Sequence, residues 1–158
     1  MLPRHLLLLP RRAYSLSSMK YCQYELVVPA SIKVGRRKYS LNLNIYRNLN
    51  PYILNQMKRN FTDLVKDQLD QLPKFKTLRI TYVFYHKGKR LIDVSNFCSI
   101  VDKFFSDALV EAKIIKDDNY TIIPQVVYAF GTPTTEESHF RIKLEGLTYE
   151  NQSDTAGN

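Results

Sequence analysis

Apolar positions recur along this chain with two different periods, and the changes from one to the other mark out its elements. Residues 24–29 read as a short strand, and 39–46 alternates Leu41, Asn42, Leu43, Asn44 and Ile45 with the period of two of a second strand. A basic turn lies between them. Asn50-Pro51 offers an N-cap and a proline at the first helical position. Ile53, Leu54, Met57, Phe61, Leu64, Val65, Leu69 and Leu72 then recur at helical spacing, which predicts a helix ending near Pro73. Residues 77–86 are rich in β-branched and aromatic types and predict a strand, closed by the turn signal His86-Lys87-Gly88-Lys89. From 94 to 112 the apolar residues Phe97, Ile100, Val101, Phe104, Phe105, Ala108 and Leu109 return to the helical period, so a second amphipathic helix is expected with Asp93 at its entrance. The turn Lys116-Asp117-Asp118-Asn119 leads into a β-rich run at 121–130, broken by Pro124, and a last strand is expected at 139–144. The order strand, strand, helix, strand, helix, strand, strand predicts an α+β domain, a mixed sheet with two main helices packed on it.

A chain of 158 residues, 44% of them apolar, fits one compact domain with a sizeable core and leaves no room for two ordinary ones. That domain is expected over residues 19–147. Residues 148–158 are polar, without apolar periodicity, and are expected to fray. Residues 1–18 differ from the rest: leucine-rich, carrying Arg4, Arg11 and Arg12, free of acids and ending in serines. They read either as a mitochondrial transit peptide or as an extension upstream of a start at Met19. The apolar run 6–9 is too short to span a membrane, and no membrane association is expected. Cys22 and Cys98 have no paired spacing and no histidine cluster, which argues against zinc and against a disulfide framework and leaves buried, reduced thiols as the default.

The formal charge is +8, and its distribution changes the picture. Between Glu25 and Asp63 no acid occurs, while Lys33, Arg36, Arg37, Lys38, Arg47, Lys58 and Arg59 do, interleaved with Tyr39, Tyr46 and Tyr52. Cations facing phosphates release counterions and aromatics stack on bases, so this stretch reads as a polyanion footprint with Arg36, Arg37 and Lys38 at its centre. The plainer alternative is a solvated loop and helix face.

Hydrolysis of a phosphodiester through a divalent metal needs carboxylates drawn from separate chain segments, because Mg²⁺ prefers hard oxygen ligands and keeps several waters. Asp93 at the helix entrance and Asp117-Asp118 after the helix are the candidates. At about 100° per residue, Asn96, Lys103 and Asp107 fall on one face of the helix between them, where a lysine could hold a phosphate. The ordinary readings are an acidic residue complementing the helix dipole, an Asx turn and an exposed Lys–Asp pair.

The run Arg90-Leu91-Ile92-Asp93-Val94-Ser95-Asn96, then Lys103, Asp107-Ala108-Leu109 and Ile115-Lys116-Asp117-Asp118, resembles the signature of the RusA-type Holliday-junction resolvases. The likeness covers the middle third tightly and the chain from Met19 more loosely. It implies a RusA-like fold and a homodimeric, Mg²⁺-dependent endodeoxyribonuclease that binds four-way DNA junctions and nicks symmetric strands in recombination and repair. The compartment it implies is the cytoplasm of a bacterial or phage-type host, or the mitochondrion if residues 1–18 are a transit peptide. Carried over by position, Asp93 and Asp118 are metal ligands with catalytic roles, Asp117 is a further ligand and Lys103 the catalytic lysine. Asn96 joins Arg36, Arg37 and Lys38 as a nucleic-acid contact, and Asp107 matches the helical aspartate. Two departures stand out. Ser95 occupies the place of the family's second aspartate, and Asn96 and Lys103 are four residues further apart than in the family pattern, an axial shift of about 6 Å. Without an insertion, Ser99 would be the lysine's counterpart. The alternative function is a RusA-like DNA-binding protein whose cleavage is weakened or lost; an RNA-binding module is a third.

Overall fold

The computed structural model describes residues 19–149. The chain runs β1 (Met19–Pro29), β2 (Ser31–Val34), β3 (Arg37–Ser40), α1 (Leu43–Asn48), α2 (Pro51–Leu69), β4 (Phe75–Tyr85), α3 (Val94–Glu111), β5 (Gln125–Phe130) and β6 (His139–Tyr149). Four strands form one mixed sheet in the order β1-β6-β4-β5, and β2 and β3 form a separate hairpin. β1 and β4 flank β6 antiparallel, whereas β5 runs parallel to β4. A parallel neighbour needs a crossover, and α3 supplies it. The architecture is therefore α+β with a mixed sheet, as the periodicity predicts.

Alternation decides which face of the sheet is covered. Leu78, Ile80, Tyr82 and Phe84 of β4 and Phe140, Ile142 and Leu144 of β6 are buried, while Arg79, Arg141 and Lys143 point to the solvated face. Onto the apolar face pack Met57, Phe61, Val65 and Leu69 of α2, with Val101, Phe104, Phe105, Ala108 and Leu109 of α3. Phe84 stacks on Phe140 and on Phe97, each with ring centroids 4.7 Å apart, which joins β4, β6 and α3 in one aromatic layer. Among the described residues no helix is long and apolar enough to cross a membrane.

α2 begins as its sequence predicts: Asn50 caps it by accepting from the Tyr52 N–H at 2.8 Å, with Pro51 at the first helical position. Several boundaries differ from the reading of the pattern: the first strand begins at Met19 rather than 24, and the stretch read as a basic turn opens with a strand, Ser31–Val34. The expected strand at 39–46 ends at Ser40, and Leu43–Asn48 is a short third helix. The reason is capping chemistry. Asn42 Oδ1 accepts from the Ile45 N–H at 2.9 Å, so the Asn-Leu alternation that imitates a strand starts a helix instead. The strand expected over 121–130 starts only at Gln125, because Asn119 turns the chain, its carbonyl accepting from Ile122 and Ile123 and its side chain from Thr121. The last strand runs on to Tyr149, so Thr148 and Tyr149, expected to fray with the polar tail, belong to the sheet. Thr148 is buried and its Oγ1 donates to the Lys20 carbonyl at 3.0 Å. Residues 1–18 and 150–158, with the readings made of them, lie outside the described residues.

Candidate functional site

α3 displays most of the candidate chemistry, and its N-terminus and its middle line different clefts. At its N-terminus a cleft of about 540 Å³ is lined by Asn42, Asn44, His86, Arg90, Asp93 and Asn96, among others. Asp93 is the N-cap residue, yet its carboxylate makes no capping hydrogen bond. Asn96 is a strut between helices, its Oδ1 accepting from the Leu43 N–H at 3.1 Å. Ser95, which replaces the expected second aspartate, is exposed.

Further along α3, against β5, a second cleft of about 350 Å³ is lined by Ser99, Asp102, Lys103, Ser106, Asp107 and Asp118, with Ile123 and Val126. Three sequence-predicted residues, Lys103, Asp107 and Asp118, thus meet here. Lys103 Nζ also lies 6.0 Å from the centroid of the Tyr46 ring of α1. The Ser99 Oγ is buried and has no hydrogen-bond partner among the described residues.

Asp102 is the residue the sequence reading missed. Its Oδ1 accepts from Tyr82 OH and Ser106 Oγ, both at 3.0 Å, and its Oδ2 from Tyr128 OH at 2.6 Å. A half-buried carboxylate with three hydroxyl donors pins α3 to β4 and β5. Burial pushes the Tyr82 and Tyr128 hydroxyls above the usual phenol range, and the Asp102 charge adds to the shift. Burial pushes the Cys98 thiol up to about 12, with Asp102 again adding to it. The available signal was an aspartate set within the apolar run Val101 to Phe105, opposite a tyrosine on the buried stripe of 77–86.

Asp117 has both oxygens engaged locally: Oδ1 accepts from the Asp118 N–H at 2.7 Å and Oδ2 from Asn119 Nδ2 at 2.9 Å. These bonds, the backbone one foremost, hold its carboxyl below the usual carboxylate range. The Asx turn of the ordinary reading belongs to the next asparagine instead: Asn119 Oδ1 accepts from the Thr121 N–H at 3.0 Å.

Asp93, Asp117 and Asp118 do not fit a single Mg²⁺ ion. One ion needs the turn after α3 to fold back beside the helix entrance. The parallel β4–α3–β5 crossover instead carries the chain away from that entrance, and Asp118 comes down beside Lys103 and Asp107, about 15–21 Å along the helix from Asp93. Among the described residues no three His, Cys, Asp or Glu side chains are grouped to hold a metal. The α3–β5 cleft does offer two hard carboxylates besides Asp102.

The basic segment forms the β2–β3 hairpin. Val34 pairs with Arg37, leaving Gly35 and Arg36 as a two-residue turn, and Gly35 takes the positive φ of 61° that the first turn position asks for. Arg36, Arg37 and Lys38 are exposed. Lys33 and Lys38 stand directly opposite one another, and Arg37 lies over the Tyr39 ring at 5.2 Å. Glu137 is an acid that feels this charge: its carboxyl is held below its usual range by Lys87 at 2.9 Å and, more weakly, by Lys38.

No protein-family model matches the chain, and no curated protein matches it.

Proposed function

We propose that the chain is a structure-selective endodeoxyribonuclease of the RusA-like kind, acting on four-way DNA junctions, with the reacting phosphate held in the α3–β5 cleft. The observation that supports this most is the meeting of Lys103, Asp107 and Asp118, distant in sequence, in one cleft of a strongly basic molecule. Lys103 supplies the cation for a phosphate whose charge grows in the transition state, and the neighbouring carboxylates can orient a water. When bound, Mg²⁺ would polarise the phosphate and lower the pKa of that water; the residues that would hold it are Asp107 and Asp118. Asp93 has no part in this centre. The β2–β3 hairpin is the DNA-binding arm, and a two-fold dimer presents two centres to the two strands of a junction.

A second reading, a RusA-like DNA-binding protein with weakened or lost cleavage, is favoured by Asp93 and Asp118 lining different clefts and by Ser95 in place of a carboxylate. Labelled four-way junction, duplex and single-stranded RNA, each with and without Mg²⁺, separate the readings. Cleavage of the junction alone, abolished in Asp118→Asn and retained in Asp93→Asn, is the expected result. Tight junction binding without cleavage selects the second reading, and equal affinity for all three substrates removes both. Light scattering is expected to give a dimer.

A further inference from the structure

At the end of α3 opposite the hairpin, a third cleft of about 310 Å³ is lined by Lys74, Lys113 and Lys116 together with the buried Phe75 and Ile115 and the exposed Tyr149. All three lysines are exposed, and among the described residues none of them forms an ion pair. Among the described acids of this end of α3, Glu111 lines the α2–α3 groove, Asp117 is closed in its own turn and Asp118 lines the α3–β5 cleft.

Lys113 is held in a conformation that disfavours it. Its φ is 59°, the only positive φ of a non-glycine residue among those described. It occupies the left-handed position that ends a helix, with the Ile114 N–H donating to the Leu109 carbonyl and the Lys113 N–H to the Val110 carbonyl, each at 3.0 Å. Glycine takes this position without strain, whereas a side chain is strained there. Nor is a lysine needed to satisfy the helix end. The Ala108, Leu109 and Val110 carbonyls already accept backbone N–H groups.

Three exposed lysines around one cleft whose lining includes buried apolar side chains, with the Tyr149 ring 54% exposed beside them, match a phosphate dianion carried on a flat apolar group. We propose that this cleft binds the phosphate of a nucleotide, with Lys74, Lys113 and Lys116 holding the anion and Tyr149 facing the base. None of these residues belongs to the α3–β5 cleft, so the proposal stands independently of the nuclease reading. Free nucleotide and the 5′ end of a strand share the chemistry.

The test is titration of the full chain with thymidine 5′-monophosphate, thymidine, inorganic phosphate, and oligothymidylate with and without a 5′-phosphate, followed by amide shifts and calorimetry. Thymidine 5′-monophosphate is expected to shift the Lys113 and Lys116 amides and to bind at least tenfold more tightly than thymidine. A preference for the 5′-phosphorylated oligomer over its hydroxyl form assigns the strand end as the source; equal binding of the two oligomers assigns the free nucleotide. Lys113→Gly separates binding from folding: it relieves backbone strain and raises the melting temperature, yet is expected to weaken the monophosphate at least threefold. Lys74→Gln with Lys116→Gln should weaken it tenfold or more. The proposal is overturned if Lys113→Gly melts higher and binds as the parent does, or if thymidine and its monophosphate bind alike.

Discussion

Asp102 shows how one side chain can organise its surroundings without advertising itself in the sequence. Three hydroxyls from two strands and one helical turn converge on it, and one of them, Tyr82 OH, belongs to a fully buried ring. An unpaired buried donor costs about 1–3 kcal/mol, and a bond to a charged acceptor is worth more than a neutral one. Asp102→Ala is therefore expected to lower stability by about 3 kcal/mol, and Asp102→Asn, which keeps an acceptor, by about 1 kcal/mol. Urea unfolding reads this as a lower midpoint at unchanged slope. A midpoint equal to the parent's for Asp102→Ala would mean that the hydroxyls find water as readily as the carboxylate.

Among the elements, the sheet tolerates one position only as glycine. Gly146 of β6 pairs with Leu78 of β4, next to the register shift between Phe75 and Thr77, and a Cβ there would run into the Thr77 carbonyl oxygen. Because backbone on a neighbouring strand yields less than a flexible side chain, Gly146→Ala is expected to cost about 3 kcal/mol and lower the melting temperature by about 10 °C. The β2–β3 hairpin invites the opposite experiment, one that leaves stability alone. Lys33 and Lys38 face each other with like charge, an arrangement that disfavours the isolated hairpin and favours a bound polyanion. Replacing Arg36, Arg37 and Lys38 with alanine should leave the melting temperature within about 2 °C, and flatten the slope of log affinity against log salt for a DNA junction by up to about three. An unchanged slope moves the DNA-binding face elsewhere.

For the whole molecule, the groups gathered at the α3–sheet junction set the alkaline limit of stability. Cys98, Tyr82 and Tyr128 are all neutral when protonated, and burial raises all three in the folded protein above their ordinary values, 9.0 for the thiol and 10.0 for the phenols. Their contribution is fully present below about pH 9 and is lost as pH rises from there through the raised folded values. The melting temperature is expected to fall between pH 9 and 11, and to fall less steeply in Tyr128→Phe, which has no hydroxyl to ionise. Parallel pH profiles for the two proteins would remove Tyr128 from the account. By itself the sequence determined the α+β class, the buried faces of β4, α2 and α3 and the Asn50 cap, because periodicity and capping report each residue's local surroundings; it marked the basic stretch as a charge cluster but not as a hairpin. It misread 39–46, where an Asn-Leu alternation carries the same pattern as a strand while the asparagine side chain starts a helix. Only the tertiary structure decided that β5 pairs parallel with β4. The length of α3, already expected from the sequence, parts Asp118 from Asp93, whereas the return of the chain towards β5 joins Asp118 to Lys103 and Asp107. Distances between residues far apart in the chain depend on strand order and direction, and these come from burying all the apolar faces at once, a condition that no single stretch of sequence contains.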